Sequence, residues 1–99
     1  MKSILVIGGL NMDVLGMPSG AFSYRDSLIG RVRLMPGGVG RNVAEQNARH
    51  GHDVELMTVV GGDAFASALE SSCRDLGIGL RYAIRSEEAE QGERADYYF

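Results

Sequence analysis

The apolar positions along the chain form short runs that are separated by pairs of glycine residues. Apolar residues fill segments 3–7 and 54–60 almost without interruption, and each segment ends at a glycine pair. Continuous β-branched and apolar runs of this length are typical of strands that are buried in a parallel sheet. We therefore predict two core strands, the first of them central and covered on both faces.

Two further segments repeat apolar residues at helical spacing. The first covers 39–50 and the second starts after Asp63, which is a good N-cap residue. Gly51 and Gly77 follow these segments and predict where the two helices end. The positions expected to face the sheet are Val39, Val43, Ala44 and Ala48 in the first helix, and Phe65, Leu69, Cys73 and Leu76 in the second.

The remaining segments predict extended structure outside this core. Residues 12–17 form a weak extended stretch, 21–26 a loop, and 29–34 an alternating, half-exposed strand. The tail from Leu80 onward also alternates weakly around a glutamate-rich turn at 86–93. The order of elements predicts an incomplete α/β domain with its core at 1–9 and 36–79. The edge strands, at 12–35 and 80–99, are expected to pair with one another in a small separate sheet.

Composition narrows the class of protein. The 99 residues are 44% apolar and 23% charged, which suits one globular domain. No apolar run approaches the roughly 20 residues that span a bilayer, so a membrane partner is not expected. Cys73 is the single cysteine, which excludes a disulfide scaffold and favours a reducing cytoplasm. A formal net charge of −3 gives no surplus of cations for binding nucleic acid.

Glycines cluster at one candidate binding site, where the first helix begins. Gly37, Gly38 and Gly40 allow the backbone to approach another group closely. The N–H groups and the positive dipole end of the helix favour an anionic or hydroxyl-rich ligand at the same place. Asn42, in the first turn, could donate to and accept from such a ligand. The alternative is a tight turn that serves only close packing.

A second candidate follows the first strand. Asn11 and Asp13 point to the same side if the chain is extended, and a carboxylate can accept hydrogen bonds from two neighbouring sugar hydroxyls. The alternative is an Asx turn that ends the strand. Arg41 could reach an anion or a carboxylate of the edge strands at 12–35 and 80–99, or form a structural ion pair. His50 and His52 have no accompanying ligand pattern, so we predict no metal site.

Two nucleotide-binding motifs are absent from the glycine clusters. A Walker A loop requires Gly-Lys followed by Ser or Thr, which Arg41-Asn42-Val43 does not supply. The fingerprint of dinucleotide-binding folds requires G-x-G-x-x-G. The segment that begins at Gly8 does not match it, and the segment 38–43 lacks the last glycine.

Taken together, the motifs carry a resemblance to a known family. Segments 6–13, 37–44 and 60–65, with Leu-Gly-Ile at 76–78, resemble the N-terminal part of the PfkB, or ribokinase-like, carbohydrate kinases. The G-G-V-G-R-N form is most similar to pseudouridine kinases. Val39 stands where ribokinases often have Lys, which argues against ribose as the substrate. Ala66 replaces a glycine that the family usually has after Phe.

The resemblance implies a fold and an activity. The fold would be the N-terminal portion of a Rossmann-like three-layer α/β domain with small β lid strands. The activity would be transfer of the γ-phosphoryl group of ATP, with Mg²⁺, to a hydroxyl of a small-molecule sugar or nucleoside, with pseudouridine favoured. The catalytic Asp is expected beyond Phe99, so we expect the isolated chain to be inactive and to bind neither ATP nor Mg²⁺.

The same resemblance implies roles for individual residues. Asn11 and Asp13 would hold sugar hydroxyls, Gly38 and Asn42 would line the site, and Gly37 and Gly40 would shape it. The lid strands would close over the sugar and could make a homodimer contact. Two alternatives remain: a non-catalytic sugar-binding or dimerisation module, and a fragment of a dinucleotide-binding oxidoreductase.

Overall fold

A computed structural model describes residues 3–87 as seven strands and two helices. In chain order the elements are β1 (Ser3–Ile7), β2 (Asn11–Pro18), β3 (Gly30–Gly37), α1 (Val39–Arg49), β4 (Asp53–Met57), β5 (Val59–Val60), α2 (Ala64–Asp75), β6 (Ile78–Gly79) and β7 (Ile84–Arg85).

The centre of the fold is a parallel sheet with the strand order β1-β4-β6. Ile4 lies opposite Val54, and Val6 lies opposite Leu56. Each parallel connection contains a helix, as parallel strands require. The predicted β-α-β-α order is therefore confirmed, and β4 rather than β1 is the central strand of the described sheet.

Both helices pack against the same face of this sheet. Side chains alternate between the two faces of a strand, so Val54 and Leu56 share the helix-covered face. Both are fully buried there, and Ile4 and Val6 pack beside them. The buried apolar cluster consists of Leu10, Ala44, Val54, Leu56, Val60, Ala66, Leu69, Cys73 and Ile78.

The opposite face of the sheet is open in the described residues, which corrects the prediction for β1. Leu5 is 53% exposed and Ile7 is 73% exposed. The apolar run was interpreted as a strand covered on both faces. The two helices of residues 3–87 lie on one face, so the alternate side chains of β1 meet solvent.

Helix α1 is rotated relative to the predicted apolar stripe. Val39 is 81% exposed and Val43 is 45% exposed, whereas Gly40, Arg41 and Ala44 are buried. The reason is a close contact between backbones. A Cβ atom at Gly40 would lie 2.6 Å from the Cα atom of Gly8, so only glycine lets the helix approach the end of β1.

Helix α2 follows its prediction more closely. Asp63 is the N-cap, and its side chain accepts a hydrogen bond from the backbone N–H of Ala66 at 2.9 Å. Leu69 and Cys73 are buried as expected, whereas Phe65 and Leu76 are half-buried and Ala66 takes the buried position at the start. Both helices end just before a glycine with positive φ, as predicted.

Strands β2 and β3 form an antiparallel hairpin outside the core. The predicted alternation indicated a half-exposed strand at 29–34. Strand β3 instead covers Gly30–Gly37, and both of its faces are exposed along most of its length. Val32, for example, is 72% exposed. The hairpin contacts the rest of the chain mainly through its base, so neither face is covered along its arms.

The second predicted core strand breaks in two. Strand β4 ends at Met57, and β5 joins a separate two-stranded sheet with β7. The backbone N–H of Ile84 donates to the carbonyl of Thr58 at 2.8 Å, so the chain after Met57 is hydrogen-bonded to β7. Strand β7 thus pairs with β5 and not with the β2–β3 hairpin, so the tail as far as residue 87 does not form the expected sheet with the hairpin.

Part of the predicted tail lies outside the described residues. This holds for 88–99, which include most of the glutamate-rich turn and the final aromatic segment. Between residues 3 and 87, neither helix is long and apolar enough to cross a membrane.

Candidate functional site

The two polar residues of β2 are linked to each other at the base of the hairpin. The amide Nδ2 of Asn11 donates to Oδ1 of Asp13 at 2.7 Å. Both residues lie within a regular strand, and their side chains share a side, as the i, i+2 spacing predicts. The Asx turn that could have ended β1 is therefore not formed by Asn11. The bond gives the exposed Asp13 carboxylate a defined orientation.

The carboxylate lies against the glycine segment that opens α1. Strand β3 pairs Asn11 with Gly37, and a Cβ atom on Gly37 would overlap the carboxylate of Asp13. A Cβ atom on Gly38 would lie 2.9 Å from Oδ1 of Asn11. The structure therefore brings together four residues that the sequence singled out in two separate motifs: Asn11, Asp13, Gly37 and Gly38.

Gly38 is the N-cap of α1 and has a φ of 98°. Residues with a side chain rarely adopt this conformation. The cap residue has no side-chain oxygen to offer to the first turn. The positive end of the helix dipole therefore lies beside Asp13, and no side chain of the cap residue stands between them.

The remaining predicted residues line the first turn of α1. The backbone N–H of Arg41 donates to the carbonyl of Gly9 at 3.0 Å, and that of Asn42 donates to the carbonyl of Gly38 at 2.9 Å. Gly40 is buried against the end of β1 and shapes the turn without facing solvent. The side chain of Asn42 is exposed at the helix start.

Arg41 forms the structural ion pair that was one of its two expected roles. Its side chain is 8% exposed, and Nη1 donates to Oε2 of Glu45 at 2.6 Å. Nη1 also donates to Oδ1 of Asn42 at 3.2 Å. On the outer side, Arg49 donates to Oε1 of Glu45 at 2.9 Å. The guanidinium is thus engaged within α1.

Glu45 and the carbonyl of Gly9 are parts of this arrangement that the sequence motifs did not predict. The signal for Glu45 was present, because it lies four residues after Arg41 and four before Arg49, and i, i+4 pairs share a helix face. The role of the Gly9 carbonyl had no such signal, since it depends on how closely α1 approaches the sheet.

The Glu45 pair predicts a dependence of stability on pH. Hydrogen bonds from Arg49, with the charges of both arginines, lower the pKa of Glu45 despite its partial burial. A lowered pKa in the folded chain stabilises the fold fully above the ordinary glutamate pKa, about 4.3, and this contribution is lost as pH falls below that value and through the lowered pKa. We expect the Tm of the chain to fall as pH is lowered from about pH 5 to about pH 2, and to fall less in Glu45→Gln. Equal slopes in thermal melts of the two proteins would contradict this assignment.

Cys73 and the two histidines have structural positions in the fold. Cys73 is buried in the core, as predicted, and burial raises the pKa of its thiol. His50 caps the C-terminus of α1, and His52 follows it in the connection to β4. Within 3–87, no three His, Cys, Asp or Glu side chains come together in a way that could hold a metal ion.

A cavity of about 460 Å³ lies on the open face of the sheet, away from the hairpin base. Its lining includes Leu5, Glu55, Met57 and Tyr82, and none of the predicted site residues. The candidate site is instead the exposed surface where the hairpin meets the start of α1.

The sequence of the chain matches a known family of proteins. Residues 1–94 match the pfkB family carbohydrate kinases. Over 75 residues the chain is 35% identical to pseudouridine kinase from Escherichia coli (strain K12), a match that covers 76% of this chain and 24% of that protein.

Solved structures agree with this placement. A carbohydrate kinase from Agrobacterium tumefaciens matches with a TM-score of 0.82 and 27% identity, over 92% of this chain and 29% of that one. A fructokinase from Xylella fastidiosa with bound ATP matches with a TM-score of 0.77 and 27% identity, over 91% of this chain and 28% of that one. The chain spans only about a quarter of the length of these relatives.

The resemblance that the sequence motifs carried is therefore confirmed for family and fold. The strands and helices of residues 3–87 form part of a ribokinase-like α/β domain. The chain belongs to the pfkB family of carbohydrate kinases.

Proposed function

We propose that this chain is the substrate-binding part of an ATP-dependent kinase that phosphorylates a hydroxyl of a sugar or nucleoside. One observation carries the proposal: the oriented carboxylate of Asp13 lies against the glycine segment where α1 begins. An exposed carboxylate accepts hydrogen bonds from hydroxyls, and the helix start supplies positive potential beside it.

The donors and acceptors at this surface suit a polyol. Asp13 offers acceptor oxygens, and the exposed Asn42 amide offers N–H donors at the first turn of α1. A sugar hydroxyl both donates and accepts, so neighbouring hydroxyls can satisfy the two residues together. In this proposal Asn11 and Asp13 bind the hydroxyls. Gly37 and Gly38 leave room for a sugar ring beside the two side chains, and Gly40 shapes this surface from below by letting α1 approach β1.

We propose pseudouridine as the favoured substrate. The support is the 35% identity to pseudouridine kinase and the presence of the G-G-V-G-R-N form at the helix start. Val39 adds a second argument, because it is exposed at the first position of the helix, where ribokinases often have Lys. These features favour a nucleoside over ribose.

We propose that Mg²⁺ and ATP bind to residues outside 3–87. Residues 3–87 contain no cluster of metal-ligating side chains, and the sequence has no Walker A loop. No step of phosphoryl transfer is therefore assigned to this part of the molecule. Its proposed contribution is to bind and orient the acceptor, which is a large part of catalysis in phosphoryl transfer. We propose a cytoplasmic location, where the thiol of Cys73 stays reduced.

The β2–β3 hairpin is proposed as a lid and a contact between two copies of the chain. Val14, Met17 and Val32 are each more than 60% exposed, and the hairpin projects from its base beside Asp13. Exposed apolar side chains concentrated on one element are typical of an interaction surface. A lid that closes beside the substrate would also exclude water.

The experiment that tests the proposal separates binding from turnover. The chain is titrated with pseudouridine, ribose and fructose 6-phosphate by calorimetry, and each mixture is then assayed for ADP release with ATP and Mg²⁺. We expect saturable binding, tightest for pseudouridine, without ADP release. Sedimentation of the same samples measures the dimer.

Three other outcomes would each contradict part of the proposal. Robust turnover by this chain would show that the catalytic groups lie within it. A cooperative melt without binding of any sugar would favour a structural or dimerisation module. Binding of NAD in place of the sugars would favour the dinucleotide-binding alternative.

A further inference from the structure

The buried arginine of α1 contacts a residue of the proposed binding surface. Nη1 of Arg41 lies 3.2 Å from Oδ1 of Asn42, and the same atom donates to Glu45 at 2.6 Å. The Arg41 side chain is 8% exposed, whereas Asn42 is an exposed residue. A buried cation and a surface amide are thus joined at the start of the helix.

The chemistry of the guanidinium decides how the Asn42 amide is oriented. Arginine has donors only, so the amide atom that faces Arg41 is the oxygen. The Nδ2 group is on the other branch of the amide and points away from Arg41. Because its oxygen faces Arg41, Asn42 presents its N–H donors to a ligand.

Glu45 holds the guanidinium in this position. Its Oε2 accepts from Arg41, and its Oε1 accepts from Arg49 at 2.9 Å. The resulting chain of contacts runs from Arg49 through Glu45 and Arg41 to Asn42. Burial and two acceptors fix the guanidinium more firmly than an exposed ion pair would.

A further detail argues against a purely stabilising role for Arg41. Its Nε atom is buried and has no hydrogen-bond partner within 3–87. A buried N–H without an acceptor destabilises a fold. A guanidinium that served stability alone would have its Nε paired as well, whereas orienting Asn42 requires only the contact through Nη1.

We propose that Arg41 is a positioning residue that holds the Asn42 amide with its N–H group toward the substrate. This inference rests on the proposed function, because it gives the bound polyol its donor. The site then combines an acceptor, Asp13, with a fixed donor, Asn42. The ligand atom opposite Asn42 must carry a lone pair, as a hydroxyl, ether or carbonyl oxygen does. Arg41 itself does not touch the ligand.

The first test needs no ligand. The side-chain amide signal of Asn42 is identified in a ¹⁵N–¹H spectrum by its loss in Asn42→Ala. We expect Arg41→Met, which retains the apolar stem, to move this signal. Arg49→Met is the matched control, because it removes the other arginine on Glu45 without touching Asn42. A signal that stays in place in Arg41→Met would overturn the proposal.

The second test is a double-mutant cycle with pseudouridine as the probe. We expect Arg41→Met to weaken binding about tenfold when Asn42 is present, the equivalent of one oriented hydrogen bond. In the Asn42→Ala background the same substitution should change affinity by less than about twofold. Equal losses in both backgrounds would mean that Arg41 acts on the whole fold.

A conservative variant guards against loss of folding. Arg41→Lys keeps a donor-only cation and should recover part of the amide signal and of the affinity. If Arg41→Met does not fold, the cycle is run with Arg41→Lys and a smaller coupling of the same sign is expected. Failure of the wild-type chain to bind pseudouridine would count against the proposed function. The amide signal would still decide the role of Arg41.

Discussion

Replacing Asp13 with Asn is expected to weaken binding of a sugar or nucleoside by about 10- to 100-fold. A hydrogen bond to a charged group contributes about 1.5–3 kcal/mol, and each 1.4 kcal/mol is about a tenfold change in affinity. The Asn side chain has the same shape as Asp, so the loss reports the charge and the acceptor pair. Calorimetric titration with pseudouridine measures the effect.

The choice of Asn in place of Ala keeps the interpretation clear. Asp13 is exposed, and its contact with Nδ2 of Asn11 can be retained by an amide oxygen. The Tm is therefore expected to change little. Asp26→Asn is the matched control, because Asp26 is an exposed carboxylate in the hairpin loop that accepts a local hydrogen bond from the N–H of Ser27. Equal affinity losses in the two variants would show that Asp13 is not part of the site.

The local features of the fold could be predicted from the sequence, because each depends on neighbouring residues. Asp63 caps α2 through a bond to the N–H three residues later, and Gly51 and Gly77 follow the two helices. The i, i+2 spacing of Asn11 and Asp13 placed their side chains together before any contact was known. Caps, stops and strand alternation are decided within one or two turns of chain.

Features that depend on the packing of distant segments could not be predicted. The apolar stripe of α1 was expected to contain Val39 and Val43, yet the contact between Gly8 and Gly40 rotates the helix and exposes both. Hydrophobic spacing gives the period of a helix, but the partner surface decides which face is buried. The open face of β1 has the same origin, since a strand pattern does not say whether both layers are present.

The candidate site combines both kinds of information. Its residues were identified as two motifs, but their proximity depends on the β2–β3 register, which places Gly37 opposite Asn11. The burial of Arg41 was not predicted, although the i, i+4 spacing to Glu45 was visible. Spacing shows which residues can pair along one helix. It does not show which of them the core will enclose.

Replacing Gly38 with Ala is expected to destabilise the fold and to weaken binding together. At φ 98° and ψ 140° a side chain is strained by about 1–3 kcal/mol. The added Cβ atom would also lie 2.5 Å from the carbonyl oxygen of Gly9 and 2.9 Å from Oδ1 of Asn11. Overpacking of this kind costs about a further 1–3 kcal/mol. Together these terms predict a Tm lower by about 10 °C or more for a domain of this size.

Gly51→Ala is the matched control, because it adds backbone strain without adding a steric contact. Gly51 also has a positive φ, 85°, but a Cβ atom there would meet nothing within 4 Å. This variant should lose only the conformational term, about 1–2 kcal/mol, and should bind pseudouridine as the wild type does. Gly38→Ala should lose more in thermal melts, and its folded fraction should bind more weakly because Asn11 is displaced. Equal melting temperatures and equal affinities in the two variants would mean that the start of α1 tolerates a side chain. The proposed dependence of binding on the close contact between Gly38 and Asn11 would then be wrong.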